Sequence, residues 1–198
     1  MEFKLLFSTE EIKKYSNLPL DEWHKIRHKI VETPPYNLAN RLKALKESYS
    51  VLTSCSAKFW LTGGSLLGAV RDNDFIPWDD DIDIDMMEED FVPLMYKIKD
   101  RLIADGFIVR LTDTKQFPKM TFFKYGQKVA LGALRNEGKL MTRPNLVYPA
   151  KCFNTNRTII FKGLEFLIPS PPEIYLEHCY KDWKTPTKSE VDTDWESD

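Results

Sequence analysis

The sequence predicts an α+β fold, a small mixed β-sheet with helices packed against it. Helical and strand-like runs both occur, but they do not follow strict βαβ alternation. At 198 residues, with 42% apolar and 13% aromatic side chains, the chain can bury one proper core. It carries no internal repeat and no low-complexity linker, so it reads as one globular unit.

Residues 1–37 are charged and end in "ETPPYN", where the prolines mark a boundary. They form an N-terminal extension with no assigned place, ahead of a domain over 38–198 whose tail turns polar from about 187. Leu38, Leu42, Leu45, Tyr49 and Leu52 recur at three and four residues, one face of an amphipathic packing helix. "KFWLTGG" reads as a buried strand stopped by glycines, and "SLLGAVR" as a short helix opening at Ser65. Phe91, Leu94, Met95, Ile98 and Leu102 give a further helix ending near Gly106. Strands are expected at "FIVRLT", "MTFFKY" and "KVALGAL", and at "RTIIF" and "LEFLIP" joined around Lys162 and Gly163. A last helix runs roughly from Pro172 to Tyr180.

Composition removes several classes of function. A formal charge of −2, from 28 basic and 30 acidic residues, offers no field for nucleic acid or an anionic membrane. Cys55, Cys152 and Cys179 are odd in number and widely spaced, so reduced thiols are expected. No apolar run reaches the roughly 18 residues of a membrane span, and the N-terminal apolar run is too short for a signal peptide. The default expectation is a cytoplasmic protein.

The run Asp79, Asp80, Asp81, Ile82, Asp83, Ile84, Asp85, Met86 carries the chemistry. On a strand, Asp79, Asp81, Asp83 and Asp85 share one face, while Ile82, Ile84 and Met86 hold the other to the core and aim the carboxylates outward. Carboxylates two residues apart start roughly 6.6 Å apart at the backbone and can converge on one cation. Unpaired at about 4 Å, they would repel by about 4 kcal/mol in a surface-like dielectric. Mg²⁺, which uses one or two carboxylates together with substrate phosphates, is the natural ligand, with Mn²⁺ an alternative. A calcium loop fails, because its sixth position is Ile84 and its twelfth Asp90.

Upstream, Gly63 and Gly68 have P-loop spacing, but Ala69 and Val70 stand where that motif needs lysine and a hydroxyl. What remains is a strand ending at Gly63 and Gly64, whose N–H groups could approach an anion. Ser65 at a helix N-terminus and Arg71 at its end could add a hydroxyl and a guanidinium. The two halves together suit a metal-bridged nucleotide.

The run "LTGGSLLGAVRDNDFIPWDDDIDI" resembles the LicD family, which includes bacterial phosphocholine transferases, fukutin and the fukutin-related protein, on a nucleotidyltransferase-like fold. "FKGLEFLIPSPPEIYLEHCYKDWKTP" is similar to the family's C-terminal block, so the likeness covers roughly residues 38–187. The resemblance implies transfer of a phospho-alcohol unit, phosphocholine or ribitol phosphate, from a CDP-activated donor to a glycan hydroxyl. It implies that Asp81 and Asp83 are metal ligands and catalytic, and that Gly64 and Ser65 contact donor phosphates. Asp79, Asp80 and Arg71 follow as secondary site residues. It also implies a Golgi-lumen setting if the chain is part of a longer, anchored protein.

The family's third carboxylate, on a later strand, falls at Ala130 here, with Asp85, Asp113 or Glu137 as possible substitutes. Two rival readings stay open, a non-catalytic nucleotide-binding relative and an Asp-x-Asp glycosyltransferase. His24 and His28, four residues apart, could share a helix face and grip one metal, but no third ligand joins them and they read as surface histidines. A His178, Cys179 and Cys152 set has no recognisable metal-site spacing. Tyr175, Tyr180 and Trp183 read as packing residues.

Overall fold

The computed structural model describes residues 6–112, 118–144 and 146–188. Helix α3 (Leu38–Ser54) begins where the Asn37 side-chain oxygen accepts hydrogen bonds from the N–H groups of Ala39 and Asn40. It buries Ala44, Leu45, Val51 and Leu52. Helix α5 (Glu88–Ala104) opens on Glu88, Glu89 and Asp90, which suit the positive end of its dipole, and buries Phe91, Met95, Ile98 and Leu102. Both helices pack on a sheet built from β1 (Phe59–Leu61), β2 (Asp81–Met87), β3 (Ile108–Thr112), β4 (Lys119–Lys124), β5 (Gln127–Asn136), β8 (Thr158–Phe161) and β9 (Leu164–Leu167).

Strand order is β3-β4-β5-β2-β1-β9-β8. The β2/β5 and β1/β9 pairs are parallel and the rest antiparallel, which is the expected mixed sheet. The strands expected from the sequence are present, and the last helix, α6, spans Pro172–Tyr180. A hairpin of β6 (Leu140–Arg143) and β7 (Leu146–Pro149), which the sequence did not announce, continues from β5.

Residues 6–37 have a definite place. Helix α1 (Thr9–Ser16), with a Ser8/Glu11 capping box, and α2 (Leu20–Ile26) bury Ile12 and Trp23, which join Ile30 and Val31 just beyond α2 in packing against Ile108 of β3 and Phe123 of β4. The extension therefore covers the sheet's edge. Among the described residues, no helix is long and apolar enough to cross a membrane.

Helix α4 (Gly63–Arg71) opens two residues earlier than expected, at Gly63 and not at Ser65. Gly63 takes φ +52°, a left-handed conformation that glycine adopts without a steric cost, and this turns the chain from β1 directly into the helix.

Candidate active site

Strand β2 alternates as its sequence demands: Ile82, Ile84 and Met86 are fully buried, while Asp81 and Asp83 face the opposite side, half-buried. Asp79 and Asp80 lie just before the strand, on a bend held from beneath by Arg41. That guanidinium, only 1% exposed, donates to the Asp79 carbonyl at 2.5 Å, the Ile76 carbonyl at 3.5 Å and Gln127 Oε1 at 3.1 Å. Arg41 stands one residue before Leu42 of the apolar stripe of α3, and its burial carried no clear signal in the sequence.

The two glycines bring the helix start against these carboxylates. A Cβ on Gly63 would meet Asp83 Oδ2 at 2.3 Å, and one on Gly64 would meet Asp79 Oδ2 at 2.3 Å. The Gly64 N–H donates to Asp83 Oδ2 at 2.8 Å, and the Gly63 N–H donates to the Tyr175 hydroxyl at 3.2 Å. Ser65 Oγ is buried and accepts from the Asp83 N–H at 3.0 Å. In this structure the turn thus orients Asp83 itself, where the sequence suggested an open anion cradle. Arg71 grips Asp72, with Nη2 to Oδ2 at 2.7 Å, and lines the same cleft.

Charge is concentrated here. Burial and the neighbouring Asp81 push the Asp83 carboxyl up to about 7, against the opposing pull of Arg143 and the Gly64 N–H. Burial, then Asp81 and Asp83, raise Asp79 well above the carboxylate range, and burial with Asp81 raises Asp80. Burial and the same cluster raise the Tyr36 phenol. Carboxylate oxygens of Asp79, Asp80 and Asp81 lie within 4.8 Å of one another. An all-carboxylate donor set suits a hard divalent ion, and such an ion would relieve this repulsion, so the residues fit Mg²⁺ or Mn²⁺. Asp81 belongs to both the expected pair and this trio, whereas Asp83 borders it and is tied to Gly64.

Asp85 departs from the outward-facing expectation. It is fully buried, and its Oδ1 accepts from Arg143 Nη1 at 2.6 Å. It is therefore committed to an ion pair and does not substitute for the third carboxylate. The pair needs Gly132 beside it, because a Cβ there would meet Asp85 Oδ1 at 2.4 Å and Arg143 Nη1 at 2.8 Å.

Parallel pairing sets Asp81 beside Lys128, Asp83 beside Ala130 and Asp85 beside Gly132. Ala130 thus stands next to Asp83, and Lys128 Nζ lies 3.2 Å from Asp81 Oδ2 and 3.5 Å from Asp80 Oδ2. Of the other proposed substitutes, Asp113 lies outside the described residues. Glu137 follows the end of β5, seven residues beyond Ala130 and at the entry to the β5–β6 hairpin. Lys128 and Arg143 carried no signal in the sequence, since only strand register and a hairpin bring them in.

Two recesses flank the acidic strand. A cleft of about 780 Å³ is lined by Tyr36, Gly64, Arg71, Trp78, Asp83 and Tyr180, among others. A recess of about 200 Å³ on the β5 side is lined by Asp81, Asp83, Lys119, Thr121, Lys128 and Arg143, among others.

Of the three aromatic residues expected to pack, Tyr175 and Trp183 are buried and Tyr180 is not. His24 and His28 are exposed, and His178 Nε2 lies 2.6 Å from the Val147 carbonyl. Cys55, Cys152 and Cys179 are free thiols. Tyr175 is buried and stacks on Tyr148, whereas Tyr180 is partly exposed at the cleft.

A sheet of this order carrying a glycine-started helix over an acidic strand defines a nucleotidyltransferase-type domain. Residues 56–170 match the profile described as LicD/FKTN/FKRP, nucleotidyltransferase domain, and the chain belongs to that family. It is 42% identical over 69 residues to ribitol 5-phosphate transferase FKRP of Homo sapiens, covering 30% of this chain and 14% of that one. It is 42% identical over 55 residues to the lipopolysaccharide cholinephosphotransferase LicD of Haemophilus influenzae, covering 28% and 18%. An uncharacterized protein of Rickettsia prowazekii is 32% identical over 85 residues, covering 40% and 32%. The chain thus spans about a third or less of each of these relatives. The solution structure of the antibiotic-resistance factor ANT(2'')-Ia shares the fold, with a TM-score of 0.50 at 13% identity over 76% of this chain and 79% of that one.

Proposed function

We propose that this domain transfers a phospho-alcohol unit from a CDP-activated donor to a glycan hydroxyl, with Mg²⁺ or Mn²⁺ as cofactor. The observation that carries the reading is the Asp79–Asp80–Asp81 trio, bordered by Asp83 and opening on a cleft large enough for a nucleotide. The family relatives are named as transferases of ribitol 5-phosphate and of phosphocholine, which supports this class of cargo.

A bound divalent ion supplies neutralisation of the donor diphosphate, as phosphoryl transfer requires. Asp81 and Asp83, with Asp79 and Asp80, hold it. Gly63, Gly64 and Ser65 set the carboxylates at the helix start, where the helix dipole favours negative charge. Arg71, held in the cleft wall by Asp72, adds positive charge toward the diphosphate, and Trp78 and Tyr180 flank the nucleoside. Catalysis then rests on positioning and charge neutralisation.

Calorimetric titration with CDP, CDP-choline and CDP-ribitol, with and without Mg²⁺ or Mn²⁺, tests this on the wild type and on Asp81→Ala/Asp83→Ala. Metal-dependent binding that vanishes in the double variant is the expected result. Absence of binding in the wild type would refute the reading. A second reading, a nucleotide-binding relative without turnover, is favoured by Ala130 standing beside Asp83. It predicts binding with no transfer to any glycan acceptor.

A further inference from the structure

Beside the acidic strand stands a lysine that the reaction scheme above does not use. Lys128 lies on β5 next to Asp81 in parallel register, with its side chain only 13% exposed. Its ammonium reaches Asp81 at 3.2 Å and Asp80 at 3.5 Å. Both partners are themselves largely withdrawn from solvent, Asp81 at 13% and Asp80 at 22% side-chain exposure. This is therefore not the loose surface ion pair that contributes little. The next residue facing the same side, Ala130, brings no charge to Asp83, and the one after, Gly132, leaves room for Arg143 to reach Asp85.

The β5 side of the acidic strand is consequently cationic, with Lys128 on Asp81, Arg143 on Asp85, and at Asp83 only the longer-range pull of Arg143. The cleft side differs: Asp79, Asp80 and Asp83 line it, and Asp79 and Asp80 converge within 4.8 Å of Asp81, which itself lines the β5-side recess. An ion entering from the cleft meets converging carboxylates. An ion approaching from β5 meets Asp81 and Asp83 among Lys119, Lys128 and Arg143, with the Lys128 ammonium already seated on Asp81 and Asp80 and no added carboxylate at Ala130. A lysine ammonium is a compact point charge, suited to standing where a small cation would sit.

We infer that Lys128 is a tethered cation occupying the β5 side of the acidic strand, so that the site takes one divalent ion, from the cleft side, and excludes a second. The inference rests on the proposed metal site, and it assigns Lys128 as a positioning residue and a determinant of metal stoichiometry. Its ammonium also weakens the ion that does bind, since like charges this close in a partly buried site repel.

The test is Mn²⁺ binding to the full chain, followed by electron paramagnetic resonance of the free ion and by calorimetry. Wild type, Lys128→Met, Lys128→Gln and Lys128→Met/Ala130→Asp are compared, each first shown to be folded by circular dichroism. The wild type is expected to bind one ion. Each neutral variant should bind Mn²⁺ at least tenfold more tightly, and the double variant should bind two ions. Two ions on the wild type, or unchanged affinity in both neutral variants, would overturn the inference while leaving the metal site standing. If only the lysine variants bind, Lys128 holds the ion's own place, which overturns both the one-ion inference and the metal-dependent function. No binding to any of the four proteins overturns both.

Discussion

Replacing Asp83 by asparagine should stabilise the metal-free protein at neutral pH and abolish its response to metal. Asp83 sits among Asp79, Asp81 and Asp85, and its carboxyl is raised from 3.8 to about 7, chiefly by burial and then by Asp81. A group whose folded pKa lies above its unfolded value binds more protons in the folded state, so its ionisation works against folding. Well below pH 3.8 the carboxyl is neutral in both states and nothing is lost. Stability then falls as pH rises from about 4 to about 7, and levels off above. A rise from 3.8 to about 7, at about 1.36 kcal/mol per pH unit, sets an upper bound of about 4 kcal/mol. Because the neighbouring carboxylates titrate with it, about 2 kcal/mol is the expected share. Asparagine keeps an oxygen for the Gly64 N–H and removes the charge. Urea denaturation of both proteins at pH 4 and pH 7.5, without metal, measures the difference. The variant should gain about 2 kcal/mol at pH 7.5 and no more than about 0.5 kcal/mol at pH 4. Saturating Mn²⁺ should then raise the midpoint of the wild type alone. A variant no more stable than wild type at pH 7.5, or a difference that ignores pH, would refute the charge-repulsion argument.

Three further outcomes are expected. Gly64→Ala places a Cβ 2.3 Å from Asp79 Oδ2 and must displace that carboxylate, so Mn²⁺ affinity measured by calorimetry should fall at least tenfold, with circular dichroism unchanged. Arg143→Met leaves the Asp85 charge buried without its partner and should cost about 3–5 kcal/mol in urea denaturation. The double variant Asp85→Asn/Arg143→Met should recover most of that loss. Tyr175→Phe leaves the Gly63 N–H without its acceptor and should cost about 1–2 kcal/mol by the same assay.

The sequence announced those parts of the fold in which periodicity and function coincide. Alternating Ile82, Ile84 and Met86 gave both the strand and the side on which the acids stand, and the Gly63–Gly64 pair marked the sharp entry to α4. It announced less where an element is short. β6 and β7 have four residues each, too few for a period-2 pattern to stand out, yet their hairpin delivers Arg143. The N-terminal helices have eight and seven residues and few apolar anchors, and those anchors meet Ile108 and Phe123, far along the chain. Alternation predicted the side on which Asp85 lies but not its fate, because burial depends on a partner 58 residues away. Lys128 illustrates the same limit. Its role follows from the register of β5 against β2, which no local pattern encodes.

The walls of the large cleft come from widely separated parts of the chain: Glu32 to Tyr36 on one side, Asp79 to Asp83 on the floor, and Tyr180 to Lys188 on the other. A ribosome delivers these segments in that order, and β9 can join β1 only after about a hundred more residues have followed it. The acidic floor is therefore synthesised well before its second wall exists, so the nascent chain carries its most strongly repelling charges over an incomplete binding site. Whatever ligand this cleft accepts, it can meet the finished site only after the last of those segments has emerged.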